Sequence, residues 1–388
     1  MGKQKPKVLI CIDWFLPGTA SGGPVRSYAN LIDHLCQDFE FYILTRATDY
    51  GSSDPYEGIT PNTWVQHKPH TYIYYISSER LNNAHIKHLL KETTFDVAMI
   101  NGIYSWYFSI WPLQVLKQGD KPVMVSARGM LNPQAFSVKG YKKRLFLALA
   151  KMTGFYKGIT FHATNATEAN YIKAILGKTT LVKIAPNLPR KHDVGVLTFE
   201  KTKQNPVRFV SVARIAKEKG TLRLLKVLVK VNLPLVLDLY GPVYDKAYWE
   251  QCQAVINALP SDIKVSYKGV LKSENVPQVL QSYDYFVLLS EGENFGHAIL
   301  EAFSAGCPVI ISHRTPWKGL RAKNVGWDVN LDTEEEILQA FNEALNLADS
   351  AYGKWSKAAL VYAKSVVENP EVIEQNKRLF LNDRNTTI

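Results

Sequence analysis

The chain has 388 residues, 46% hydrophobic and 11% aromatic, with a formal net charge of +11. This is enough chain and apolar content for two domains with real cores, and it excludes an intrinsically disordered protein. The charge is uneven, with 22 Lys/Arg against 12 Asp/Glu in residues 1–190 and 24 against 23 in residues 191–388, which points to an anionic partner for the first half.

At the start of the chain Lys3, Lys5 and Lys7 precede the apolar run 8–12, which is too short for the core of a signal peptide. Pro6 stands where a myristoylation signal needs Ser or Thr, and no stretch approaches the length of a membrane span. Short apolar runs alternate with amphipathic segments, the mark of parallel α/β sheets. Strands are predicted near 7–12, 39–45, 72–76, 95–100, 122–126, 159–163 and 181–184, with helices near 24–36, 80–92, 135–153 and 165–176. The four cysteines, Cys11, Cys36, Cys252 and Cys307, are scattered without metal-ligand spacing and suit core positions in a cytosolic protein.

Ser21-Gly22-Gly23-Pro24 joins the first strand to the first helix. Ser21 suits the N-cap and Pro24 an early helical position, while the glycines let a backbone or a ligand come close. A plain strand-to-helix turn fits the same residues. The loop is not Gly-x-Gly-x-x-Gly, and the second strand closes on Leu44-Thr45-Arg46 rather than on an acid, so the dinucleotide fingerprint is absent, although Arg46 leaves NADP as an alternative. The strand near 122–126 runs into Ala127-Arg128-Gly129. Residues 139–157 start on cations and continue into a dense apolar stretch; this suits a helix lying on anionic headgroups, and equally a domain helix with a solvated lysine end. Aromatic and basic residues are interspersed, but no nucleic-acid motif accompanies them. Residues 186–206 are polar and proline-marked and read as a linker, dividing a domain over 1–190 from one over 191–369.

In the second half, strands are predicted at 207–213, 234–240, 263–268, 285–289 and 308–311, and helices alone from about 332. Arg214, Lys217 and Lys219 lead into a helix predicted over 217–231. Cations at a helix N-terminus oppose the macrodipole unless an anion arrives, although Glu218 offers partial local balance. The strand at 285–289 is followed by Glu293-Asn294-Phe295-Gly296, with Asn294 as the expected N-cap of a helix over 295–305 that Gly306 stops. Bare N–H groups at such a helix start make an anion site. Glu293 stands just outside it, and Glu301 lies roughly 9 Å along the axis at the standard rise. That spacing suits a ligand with a diphosphate in the middle and hydroxylated sugars at both ends.

Glu293-x7-Glu301, set in Gly-Glu-Asn-Phe-Gly and followed by Gly306-Cys307-Pro308-Val309-Ile310, resembles the retaining nucleotide-sugar glycosyltransferases of family 4 (group 1), of the bacterial surface-polysaccharide type. Arg214-x4-Lys219-Gly220 matches a second element of that family. The resemblance implies a GT-B fold, two Rossmann-like parallel-sheet domains facing across a cleft, with residues 370–388 packing back on the first domain. It implies that Glu301 accepts hydrogen bonds from the ribose hydroxyls. Glu293 and the backbone of Asn294, Phe295 and Gly296 would hold the sugar and the distal phosphate. Arg214 and Lys219, with Gly22 and Gly23, would meet the diphosphate, and the backbone around Val270 the base. Many members have His-Gly where this chain has Arg128-Gly129; a bacterial subgroup shares the Arg, which is a poor base but suits a phosphate or an acidic sugar, and equally a plain ion pair at the domain interface.

The implied reaction needs no metal and no cofactor. It moves an α-linked sugar from a UDP- or GDP-sugar to a glycan or lipid-linked glycan, in lipopolysaccharide, O-antigen, capsule or exopolysaccharide synthesis. The implied partners are that donor and acceptor together with an anionic membrane surface, and no nucleic acid. The implied location is the cytoplasm, peripheral on the inner face of the plasma membrane. A GT-B-fold nucleotide-sugar epimerase, a non-catalytic sugar-nucleotide or glycan-binding protein and, last, an NAD(P) oxidoreductase are the alternatives.

Overall fold

Strands covered by helices on both faces are apolar at nearly every position, because neither face meets water. A computed structural model of the protein, which describes residues 4–132, 140–191 and 201–381, shows this in two units. Unit 1 comprises Met1–Lys191 and Asn369–Ile388, and unit 2 comprises His192–Glu368.

Unit 1 holds β1 (Lys7–Cys11), β2 (Glu40–Arg46), β3 (Trp64–Lys68), β4 (Thr71–Ile76), β5 (Val97–Asn101), β6 (Val123–Ser126), β7 (Thr160–Ala163) and β8 (Leu181–Ile184). They form one sheet in the order β3-β4-β2-β1-β5-β6-β7-β8, parallel except for the β3/β4 pair. Alternate residues of β1 serve opposite faces: Val8 and Ile10 pack with Val25, Leu31 and Met99, Leu9 and Cys11 with Ala98, Ile100 and Val125. The strand order reverses beside β1, with β2 on one side and β5 on the other. In open parallel sheets such a switch point opens a crevice at the carboxyl ends of the strands.

Unit 2 holds β9 (Val207–Val212), β10 (Leu235–Tyr240), β11 (Ile263–Tyr267), β12 (Tyr285–Leu288), β13 (Val309–Ser312) and β14 (Gly326–Val329). Its sheet, β11-β10-β9-β12-β13-β14, is parallel throughout and reverses between β9 and β12. The register Tyr285↔Phe209 and Phe286↔Val210 puts the carboxyl ends of those two strands side by side.

The last helix, Pro370–Phe380, packs within unit 1. Phe380 lies 5.5 Å from Phe39 between ring centroids, Asn376 donates to the Pro186 carbonyl at 2.8 Å, and Lys377 pairs with Asp38 at 3.1 Å. All four cysteines are free, with Cys11, Cys252 and Cys307 buried and Cys36 partly so. Among the described residues no helix is long and apolar enough to cross a membrane.

Several sequence expectations change. The sequence does not mark the strands β3 and β14: β3 is a half-exposed antiparallel edge whose Trp64-Val65 is followed by the polar Gln66-His67-Lys68, and β14 has only four residues and opens on Gly326. The helix expected over 217–231 is one tight turn, Lys217–Lys219, then a helix Thr221–Leu228, because Gly220 adopts a left-handed conformation between them. The helix expected over 295–305 spans His297–Ser304. The linker at 192–200, the helix start before Gly140, Pro133 and the terminus from 382 onward lie outside the described residues.

Candidate functional site

In unit 2 the site is built where β9 and β12 end beside each other. After β9 the chain passes Arg214 and the turn Lys217–Lys219, then Gly220 at φ 71°. A Cβ at this glycine would stand 2.0 Å from the carbonyl oxygen of Leu289, just past β12. Only glycine allows so close an approach in that conformation. The approach brings the two loops together: the Glu291 amide donates to the Glu218 carbonyl at 2.8 Å, and Lys219 Nζ meets Glu293 Oε1 at 2.6 Å. Arg214 pairs with Glu218 at 3.1 Å, one turn away in sequence, and remains partly exposed. Lys219 therefore does not sit at the N-terminus of a long helix, as the sequence suggested; Gly220 interrupts it, and a carboxylate from the neighbouring loop balances its charge.

Glu291 anchors the loop from below. It accepts from Arg223 at 3.0 Å and from Arg314, whose other nitrogen donates to Asp332 at 2.7 Å. Nothing local in the sequence marks Glu291, Arg223 and Arg314 as partners, because they lie far apart along the chain. The adjacency of Glu291 to Glu293 was the only available signal.

Beyond Glu293, the N-cap is Gly296 (φ 79°, ψ 61°) rather than Asn294, and no side chain caps this end. A Cβ at Gly296 would stand 2.8 Å from Ile299 Cδ1 and 3.3 Å from Trp317 Nε1. Trp317 donates to the Phe295 carbonyl at 2.5 Å and packs its ring 5.6 Å from that of Phe295, fixing the turn. Glu301, one turn into the helix, is buried at 7% exposure. Val270 follows β11 in an irregular segment and is 66% exposed, next to Gly269, whose carbonyl accepts from the Gly241 amide at 2.8 Å.

Unit 1 carries Gly22, Gly23 and Arg128. Gly22 (φ 78°, ψ −124°) is itself the N-cap of helix Gly23–Leu35, displacing Ser21 from that role, and a Cβ at either glycine would meet nothing within 4 Å. Arg128 follows β6 in the left-handed region (φ 51°) with Gly129 behind it (φ 73°). The buried carboxylate of Glu168 holds this turn, accepting from the Gly129 amide at 2.6 Å and from the Thr164 amide and hydroxyl at 2.8 and 2.7 Å. The guanidinium donates to Asn187 and lies 4.5 Å over the ring of Tyr28, a residue of the helix that Gly22 caps.

Behind Arg128, His162 is fully buried, and burial first, then the charge of Arg128, pushes its pKa down to about 3. Because the Ala185 carbonyl 2.9 Å away can only accept, Nε2 carries the proton and Nδ1 accepts from the Ser126 hydroxyl. At the end of β1, Asp13 accepts from Ser105 at 2.8 Å and from Arg46 at 3.3 Å; burial raises its pKa, and those two partners oppose the rise. Asp13 was also passed over in the sequence, where it is one acid among 35.

Of the site residues expected in the second half, Arg214, Lys219, Glu293, Asn294, Phe295 and Gly296 thus lie on the segments that follow β9 and β12 of unit 2, Glu301 lies in the helix His297–Ser304, and Val270 follows β11. Gly22, Gly23 and Arg128 belong to unit 1, where Tyr28 links the glycine turn to Arg128. Two parallel-sheet α/β units of this kind define the GT-B fold, and the solved structures agree. The chain superposes on sucrose-phosphate synthase of Thermosynechococcus elongatus with a TM-score of 0.69 at 16% identity, covering 97% of this chain and 98% of that one. It superposes on HepE of Anabaena, solved with UDP and glucose, with a TM-score of 0.67 at 15% identity, covering 96% and 98%. It superposes on WaaG, a glycosyltransferase involved in lipopolysaccharide biosynthesis, with a TM-score of 0.65 at 14% identity, covering 96% and 98%. Residues 198–360 match the family of glycosyl transferases group 1, so unit 2 carries a group 1 domain and the protein is a glycosyltransferase. No curated protein matches the sequence.

Proposed function

We propose that this glycosyltransferase belongs to family 4 and retains anomeric configuration, moving an α-linked sugar from a UDP- or GDP-sugar to a glycan or lipid-linked glycan in bacterial surface-polysaccharide assembly. The observation that carries the reading is the 2.6 Å contact between Lys219 and Glu293, which joins the loops after β9 and β12 at the switch point of unit 2. A donor at this point has a cation for its diphosphate and a carboxylate for its sugar within one side-chain length of each other.

In this mechanism Glu301 accepts from the ribose hydroxyls. Glu293 and the amides of Asn294, Phe295 and Gly296 hold the sugar hydroxyls and distal phosphate. Lys219 and Arg214 stabilise the departing diphosphate, where negative charge grows as the glycosidic bond breaks. With these cations in place the leaving group needs no divalent metal. The acceptor attacks from the face the diphosphate leaves, and a phosphate oxygen takes its proton. The backbone around Val270 meets the base. The open turn at Gly22 and Gly23 admits close approach of a phosphate, and Arg128 holds an anionic group of the acceptor. The UDP and glucose of HepE support a UDP-sugar donor, and the lipopolysaccharide role of WaaG supports the acceptor class.

Calorimetric titration of UDP and GDP, free and sugar-linked, into wild type and Glu301→Ala tests the proposal. One nucleotide series is expected to bind, weakened in the variant by about 1–3 kcal/mol for lost hydrogen bonds to a buried charge. A folded protein that binds neither series overturns it.

A further inference from the structure

The loop that carries Glu293 is gripped on both sides by the segment after β13. Two residues before Glu293, the Glu291 carboxylate accepts from Arg314; two residues after it, the Phe295 carbonyl accepts from Trp317 Nε1 at 2.5 Å. Glu291 also reaches the segment after β9. Its other carboxylate oxygen accepts from Arg223, in helix Thr221–Leu228, at 3.0 Å. Its amide donates at 2.8 Å to the carbonyl of Glu218, the residue before Lys219. Beyond β14, both oxygens of Asp332 accept from the second terminal nitrogen of Arg314, at 2.7 and 2.9 Å. Charges therefore alternate from Arg223 through Glu291 and Arg314 to Asp332, and the chain of pairs joins the segments that follow β9, β12, β13 and β14.

These side chains keep between 27% and 70% of their surface in water, and ion pairs so exposed contribute little to folding. What they fix is direction, because the planar guanidinium of Arg314 holds two carboxylates in set orientations. We propose that Glu291 and Arg314 are positioning residues for the transferred sugar. They act through Glu293, setting its place relative to Lys219 and so the match of that pair to a sugar diphosphate. A displacement of about 1 Å in such a group is enough to weaken its action strongly. The inference rests on the donor reading above and deepens it by assigning the effect to one part of the donor. The sugar and distal phosphate depend on this chain of charges, whereas the base and ribose, given to Val270 and Glu301, do not.

The test titrates the full chain with UMP, UDP and UDP-glucose, and with GMP, GDP and GDP-mannose, in a calorimeter; the thermal midpoint is read on the same samples. Glu291→Gln keeps the shape of the side chain and removes its charge. In the series that binds, it is expected to weaken the sugar nucleotide about tenfold and the monophosphate less than about threefold, with a midpoint near that of wild type. Arg314→Lys keeps the charge and loses the fork, so the same selective loss is expected, and it decides the question alone should Glu291→Gln fail to fold. The double variant is expected to bind within about twofold of the weaker single one, because the two residues act as one unit. Equal loss for all three nucleotides overturns the proposal, since a merely structural brace would act that way. Unchanged binding overturns it too, whether or not the midpoint falls. A wild type that binds neither series removes the donor reading and this inference with it, whereas wild-type binding that the variants leave intact rejects the inference alone.

Discussion

A methyl group at Gly220 would stand 2.0 Å from the Leu289 carbonyl, at a φ of 71° that side-chain-bearing residues resist. Gly220→Ala is therefore expected to cost unit 2 roughly 3 kcal/mol or more and to pull Lys219 away from Glu293. Thermal unfolding and nucleotide titration of the same sample read both effects. Gly23→Ala, at a position with open space and no positive φ, is the control for thermal unfolding alone, with an expected change in stability under about 0.5 kcal/mol. His162 sets a pH dependence. Its ring is neutral in the fold with a pKa lowered to about 3, and on unfolding the value returns to about 6.5. The unfolded state then binds the extra proton, so this stabilisation is whole above pH 6.5 and falls with acid toward pH 3, by about 2 kcal/mol at pH 5. His162→Gln is expected to flatten that part of the stability–pH curve, measured by denaturant unfolding between pH 5 and 7.5. The chemistry of these residues was legible to different degrees. Glu293 and Lys219 stand in patterned segments of the sequence, but their contact joins positions 74 residues apart, and no local signal carries it.

At the scale of the element, the apolar strands were plain because a strand covered on both faces is apolar almost throughout. The polar edge β3 and the four-residue β14 lack that signature and were missed. The start of helix His297–Ser304 was misplaced because Asn294 is the better cap by residue type, whereas the turn needs a left-handed residue at 296 that Trp317 then locks. The last helix shows how an element acts at a distance. Phe380 is nearly buried against Phe39 and Phe41, and Phe380→Ala is expected to cost about 3–5 kcal/mol by leaving a cavity there. The loss belongs to unit 1 even though the residue follows unit 2 in the chain. A fall in the near-ultraviolet signal of unit 1 tyrosines before that of unit 2 checks the assignment.

Across the whole molecule, the sequence by itself determined the class: alternating apolar strands and amphipathic helices, the glutamate pair in its glycine-marked context, and a positive charge gathered in the first half. These are local properties, written in composition and in spacings of a few residues, so they survive without coordinates. Which loops meet was decided only by tertiary structure. The reversal of strand order sets the carboxyl ends of β9 and β12 side by side, Gly220 lets their loops touch, and Glu291 is clamped between Arg223 and Arg314. Tertiary structure also decided which face of helix Gly140–Met152 turns inward, burying Leu147 and Ala150 and leaving Tyr141 and Met152 exposed. The physical reason is the same in each case. Packing chooses partners by proximity in space, and hydrogen bonds or buried area between residues far apart in the chain leave no periodic trace along it.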